Sequence, residues 1–274
     1  MLASATLIAT PAPKHAKLAA PGVTVNASAR RAVMLPLLTP RDAQLTGQRI
    51  AESLKLVHDK LPITRRVLHA GQSVYEAGEA FDCLHVVNSG FFKLVNLSAD
   101  GREQVVGLQF KGDWLGFDGI ANGRYGCDAI AMDTGEVWSI RYDALLRACV
   151  EHPPLMGVVH CAMSREMTRD RDSLLSICTL PADARVADFL LNWAESLSER
   201  GLRTDQITLR MTRAEIGNYL GMKLETVSRA LSRLARDGII GFAENGRRDI
   251  HIPDLAVLAA FIQRSLAPEG ATLQ

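Results

Sequence analysis

The stretch MTRAEIGNYLGMKLETVSRALSRL, residues 211 to 234, concentrates the side chains best suited to reading another molecule. Glu225, Ser228, Arg229 and Ser232 recur at steps of three and four, which puts them on one face of an α-helix. They offer a carboxylate, a guanidinium fork and two hydroxyls. Such a set can hydrogen-bond the edges of base pairs: arginine donates two bonds to guanine O6 and N7, glutamate accepts from cytosine N4, and serine can approach either base type. Val227, Ala230, Leu231 and Leu234 share the other side, so the helix can be held from behind while the polar face stays outward.

Local signals position that helix. Thr212 and Glu215 stand three apart and form a capping box that starts a first helix. Ile216, Tyr219 and Leu220 supply its inner face, Gly221 suits the left-handed conformation that ends it, and a second helix can begin three residues later. Residues 210 to 236 hold six Lys or Arg against two Glu, a local balance of +4 in a chain of formal net charge +1. Arg213, Lys223, Ser232 and Arg233, with Arg210 and Arg236, are candidates for phosphate contacts, which set affinity and register. QITLR reads as a strand before the helix pair, and Asn245-Gly246 as a hairpin turn after it. These flanks favour a winged helix-turn-helix, with Arg247 and Arg248 on the wing, over a plain αα-hairpin with a solvated face.

The rest of the chain must carry this unit. Residues 39 to 61 permit one or two helical turns through Ala43, Leu45, Ile50, Leu54 and Leu56. Between Arg65 and Arg141 the runs CLHVVNSG, FFKLVNLS, EQVVGLQF and EVWSIRY are short strands bounded by turns, and glycines punctuate them often, which predicts a jelly-roll or barrel. After Pro153 and Pro154 a long helix begins. Met156, His160, Met163, Met167, Asp170, Leu174 and Ile177 follow alternating steps of four and three, the seam of a two-stranded coiled coil. Burial of that helix against its own β-domain is the alternative. Pro181 then breaks the helix, and a second domain starts with Ala182, Val186, Phe189, Leu190 and Trp193 as an apolar stripe. The expected fold is α+β: a tail over residues 1–38, a β-roll over 39–152, a dimerisation helix over 153–180 and a winged helix-turn-helix domain over 181–274.

The 274 residues, 47% hydrophobic, suffice for two modest cores. Near-zero net charge leaves no global field toward nucleic acid or membrane, so a polyanion site has to be local. No apolar run approaches the roughly 18 residues that span a bilayer, and the apolar start of the chain lacks the basic segment of a secretory signal. Five scattered cysteines without a CxxC pair fit a reducing cytosol, and the expected location is cytoplasmic. A metalloenzyme on a cupin-like roll would bring an HxH pair, which does not occur. The chain is not expected to be an enzyme.

The helix-turn-helix segments MTRAEIGNYLG and ETVSRALSRL, together with GDWLGFDGI and AMSREMTRDRDSLL, resemble the CRP/FNR family of bacterial transcription regulators, FNR branch, in one order over roughly residues 60 to 250. The resemblance implies a cyclic-nucleotide-binding-like β-roll and a homodimer on double-stranded DNA. It also implies a pseudopalindrome resembling TTGAT-N4-ATCAA, read by Glu225, Ser228 and Arg229, and activation through RNA polymerase, with one contact surface around Gln109 to Asp118.

Three departures stand out. The N-terminal cysteine cluster is missing: the first cysteine is Cys83, and Trp138 occupies the β-roll position where the family's iron-sulfur centre takes a thiolate, which disfavours [4Fe-4S]. Phe117, Gly126 and Cys127 stand near the positions where cyclic-AMP receptors place glutamate, arginine and serine, and Arg124 is out of register, which disfavours cyclic AMP. Lys223 replaces the usual Ser or Thr cap of the reading helix. The signal stays open between a thiol at Cys161 or Cys178, a haem on His69, His85 or His160, and no effector. Asp170 on the seam either repels its counterpart or pairs with Arg169 or Arg171. A β-roll ligand- or metal-binding protein without base readout is the alternative function.

Overall fold

The computed structural model describes residues 39–97, 103–243 and 246–266. The tail expected over residues 1–38 and Asn245 of the hairpin turn lie outside them. The first element, α1 (Pro40–Lys60), is longer than the one or two turns expected. Thr39 and Asp42 form a reciprocal capping box, Pro40 fits the first turn, and Ala43, Ile50, Leu54 and Val57 make one buried stripe. Leu45, counted on the apolar face from sequence, is exposed.

Eight strands follow: β1 (Thr64–Leu68), β2 (Ser73–Tyr75), β3 (Cys83–Ser89), β4 (Phe92–Leu97), β5 (Glu103–Gln109), β6 (Trp114–Leu115), β7 (Asp128–Ala131) and β8 (Gly135–Arg141), with a short helix α2 (Gly119–Asn122) before β7. They pair as two antiparallel sheets of order β1-β8-β3-β6 and β2-β7-β4-β5. Leu68, Val87, Leu115 and Val137 of the first sheet meet Val74, Phe92 and Ala129 of the second in one core. On the first sheet's other face, Leu84, Val86, Trp138 and Ile140 meet Leu54 of α1, Leu145 of α3 (Tyr142–Glu151) and Leu155 and Val159 of α4 (Pro154–Thr179). β3 is thus covered on both faces, which is why Leu84, Val86 and Val87 are apolar on either side of it, with His85 the buried polar residue among them.

Helix α4 has two characters. Leu155, Val159, Ala162 and Ser176 are buried against the chain itself. Of the expected seam, Met156, His160, Met167, Asp170 and Leu174 face solvent, Leu174 with 63% of its surface exposed. Met163 is drawn partly into the core, and Ile177 lies beside Gly221. Burial against the β-domain therefore accounts for the opposite face of the helix and leaves most of the seam open.

The C-terminal part comprises α5 (Ala182–Ser198), β9 (Gln206–Thr208), α6 (Arg213–Tyr219), α7 (Leu224–Arg236), β10 (Gly241–Ala243), β11 (Gly246–His251) and α8 (Leu255–Leu266), with an antiparallel sheet of order β10-β11-β9. Helix α5 is its hub, burying Ala184, Val186, Ala187, Leu190 and Trp193. Among the described residues no helix is long and apolar enough to cross a membrane.

Asp113, buried at 5% side-chain exposure, joins the two parts. It accepts from Arg169 on α4 at 2.7 Å and from Arg200, just past α5, at 3.1 Å. Burial alone would push its carboxyl up, but the two guanidiniums and the Phe110 amide hold it below the ordinary carboxylate value. Beside it Phe91 and Phe110 pack on Trp193. This junction narrows one expected surface. Between Gln109 and Asp118, the segment expected to face RNA polymerase, Gln109, Phe110 and Asp113 are buried in the joint and Trp114 and Leu115 in the cores of the roll; Lys111 and Asp118 remain exposed.

Candidate nucleic-acid interface

The helix pair forms as its local chemistry dictates. The Thr212 hydroxyl accepts from the Glu215 amide at 3.2 Å, and the Glu215 carboxylate accepts from the Thr212 amide at 2.7 Å, which fixes the start of α6. Gly217 is required by contact: a Cβ there would meet the Met222 carbonyl oxygen at 2.6 Å. Gly221 takes φ +64°, the left-handed turn that sends the chain into α7. Val227, Ala230, Leu231 and Leu234 are buried beneath α7. Glu225, Arg229 and Ser232 are exposed and Ser228 is half-buried beside them.

That outward face carries little internal commitment. The Arg229 Nε reaches only the Glu225 backbone carbonyl, at 3.4 Å. Among the described residues neither Glu225 nor Arg229 is held in an ion pair. The Ser232 hydroxyl donates to the Ser228 carbonyl at 2.9 Å and keeps its lone pairs outward. Lys223 is the N-cap of α7, and its side chain makes no capping bond, at a cost of about 1 kcal/mol against Ser or Thr. Its ammonium sits exposed beside the helix start, a place where a phosphate would be received.

The other basic candidates divide. Arg233 pairs with Asp183 at the start of α5 at 2.5 Å, and Arg213, on the first turn of α6, lies 6.0 Å from the Phe242 ring of β10. Arg210 is turned inward, 3.4 Å from Asp133 and over the Phe91 ring, so it serves the junction between the two parts. Arg248 is exposed on β11, and the side chain of Arg247 lies outside the described residues.

The roll interior is occupied by its own side chains. Tyr75 stacks on Tyr125 at 3.9 Å between centroids, and His85 is bonded to Ser139 at 2.9 Å and Tyr125 at 3.3 Å. Burial and the nearby Arg66 push His85 down to about 4, so it is neutral at pH 7. The Asp118 carboxylate accepts from the Gly126 amide at 2.7 Å and the Cys127 thiol at 3.4 Å, and Arg124 donates to the Gly78 carbonyl at 2.6 Å. Burial pushes the Cys127 thiol up, whereas Cys161 and Cys178 are exposed on α4. Among the described residues no three His, Cys, Asp or Glu side chains are grouped to hold a metal. Asp113 and its two arginines escaped the sequence reading, since partners 56 and 87 residues apart leave no local pattern.

This geometry has known counterparts. Residues 184–261 match the Crp-like helix-turn-helix domain, and residues 65–152 match the cyclic nucleotide-binding domain. The chain is 34% identical over 200 residues to the transcriptional regulatory protein btr of Bordetella pertussis, covering 73% of this chain and 83% of that one. It is 33% identical over 202 residues to the transcriptional activator protein Anr of Pseudomonas protegens, covering 74% and 82%. Its structure matches that of FixK2 from Bradyrhizobium japonicum at TM-score 0.64 and 28% identity, over 73% of this chain and 97% of that one. With both domains in the same order and these relatives matched along most of their length, the chain belongs to the CRP/FNR family of transcription regulators, a non-enzymatic family that binds DNA through its helix-turn-helix.

Proposed function

We propose that the protein works in the cytoplasm as a homodimeric activator that reads a pseudopalindrome resembling TTGAT-N4-ATCAA. Glu225, Ser228 and Arg229 read base edges, while Arg213, Lys223, Ser232 and Arg233 meet the phosphates. The observation that carries this reading is the outward face of α7, where an exposed carboxylate and guanidinium have no ion-pair partner among the described residues. Two such helices related by a twofold axis suit a palindrome. The domain limits follow the sequence: tail 1–38, sensor 39–152, dimerisation helix 153–180, DNA-binding domain 181–274.

The seam of α4 supports the dimer. Met156, Met167 and Leu174 expose apolar surface in one line, a face that a second copy would cover, with Met163 and Ile177 at its edge. Asp170 lies in that line; Arg169 directs its guanidinium onto Asp113 and offsets the Asp170 charge only in part, since burial still holds that carboxyl above its ordinary value. Two Asp170 carboxylates facing one another would hold the dimer near dissociation, where a signal could tip it. In sedimentation, Leu174→Asp is expected to shift the protein to monomer and to lower affinity for the palindrome by about a hundredfold; Asp170→Ala is expected to tighten the dimer. A Leu174→Asp protein that stays dimeric would refute the seam.

The sensor signal is not a cyclic nucleotide on this reading. Asp118 occupies the Gly126 amide and would repel a phosphate there, and Arg124 is engaged with a backbone carbonyl. An activating role is in keeping with the similarity to the transcriptional activator protein Anr, and contact with RNA polymerase is part of the same proposal. Within the Gln109 to Asp118 segment, Lys111 and Asp118 are the exposed points available for that contact.

A further inference from the structure

The first helix of the pair is fastened to the sensor at a place the DNA reading does not use. β5 is the edge strand of its sheet, and an edge strand leaves backbone groups unpaired. The Asn218 carboxamide of α6 closes on that edge as a strand residue would: its Oδ1 accepts from the Val105 amide at 2.6 Å, and its Nδ2 donates to the Glu103 carbonyl. Gln104 Nε2 in turn donates to the Asn218 carbonyl at 2.5 Å. One turn earlier, Lys93 of β4 meets Glu215 Oε1 at 2.5 Å, with only 13% of the lysine side chain exposed. One turn of α6 is thereby tied to both strands of the β4–β5 hairpin.

Two features turn this contact into a constraint on reading. α6 and α7 are locked together through the close approach at Gly217, so fixing α6 fixes α7. The tied face, Glu215 and Asn218, differs from the reading face, since Glu225, Arg229 and Ser232 stay exposed. The fastening therefore leaves base contacts open while removing rotation of the reading helix against the sensor. In a dimer, the orientation of each reading helix against its own sensor sets the separation of the two helices.

We infer that Asn218, seconded by the Lys93–Glu215 pair, is a positioning residue for operator recognition: it sets the half-site spacing the dimer accepts without itself touching DNA. The inference rests on the dimeric, palindromic reading proposed above. Inserting or removing one base pair shifts a half-site by about a tenth of a helical turn. A rigidly held second helix then misses its site, whereas a loosely held one follows it.

The test measures affinity for duplexes whose half-sites are separated by two to six base pairs, and for a single half-site, with wild type, Asn218→Ala and Lys93→Met. Glu215 keeps its capping bonds to Thr212 through Oε2, so Lys93→Met removes a fastening and leaves α6 capped. Wild type is expected to bind one spacer best and to lose on the order of a hundredfold when bivalent engagement fails. In both variants that profile flattens to within about threefold, with half-site affinity unchanged, and amide exchange at Val105 speeds up in Asn218→Ala. Variants that keep the wild-type spacer profile overturn the inference, as does a parallel loss on palindrome and half-site alike. A wild-type protein indifferent to spacing would remove the palindromic reading itself.

Discussion

Replacing Asp113 by asparagine is expected to lower the unfolding free energy by about 3 kcal/mol at pH 7. The change is nearly isosteric and keeps an acceptor for the Phe110 amide, so it removes charge more than shape. What it leaves behind is the Arg200 guanidinium, 4% exposed, which keeps the Lys111 and Ser196 carbonyls at 2.8 and 2.7 Å but has only the longer 3.3 Å pair to Glu199 as a negative charge among the described residues. Arg169, at 38% exposure, loses less because water still reaches it. The pH dependence has a definite sign. A carboxyl held below its ordinary value of 3.8 contributes stability that is complete above that value and is lost as pH falls through the lower folded-state value. The gap between wild type and Asp113→Asn should therefore be widest at neutral pH and close in acid, as read by urea unfolding across the range. A gap below about 1 kcal/mol at pH 7 would mean that the two arginines are compensated elsewhere.

Arg229→Ala is expected to act on recognition and to leave folding intact. Its side chain is exposed and makes one long contact to the Glu225 carbonyl, so the thermal transition should move little. At the specific duplex the loss should reach about 1 to 3 kcal/mol, with a much smaller effect on random DNA and relaxed preference at the base pair it reads. Lys223→Ala should weaken both duplexes together and reduce the salt dependence, because a phosphate contact carries no sequence information. An Arg229→Ala protein that loses equally on both DNAs would place the guanidinium on the backbone.

The reading helix was legible because its signals are local. The Thr212–Glu215 box, Gly221 and the spacing of Val227, Ala230, Leu231 and Leu234 all act within one or two turns, and each formed as its chemistry requires. The longer strands were legible for the same reason, as β-rich runs between turns. Two-residue β6 and three-residue β2 are too short to carry a period, and depend on the sheets around them. Three of the four residues in the buried stripe of α1, Ala43, Ile50 and Leu54, are legible, but exposed Leu45 falls off that face and breaks the period, which shortened the expected helix. The joint was illegible for a simpler reason. Asp113 meets Arg200 across 87 residues and Asn218 meets Glu103 across 115, and nothing in either local sequence announces the other.

Base reading by α7 is decided by equilibrium binding of the purified protein to a TTGAT-N4-ATCAA duplex and to a scrambled duplex of equal composition, at physiological salt, with and without oxygen. Binding at least about a thousandfold tighter to the palindrome in one of those conditions is the expected result. Equal affinity for the two duplexes in both conditions would contradict base reading by α7.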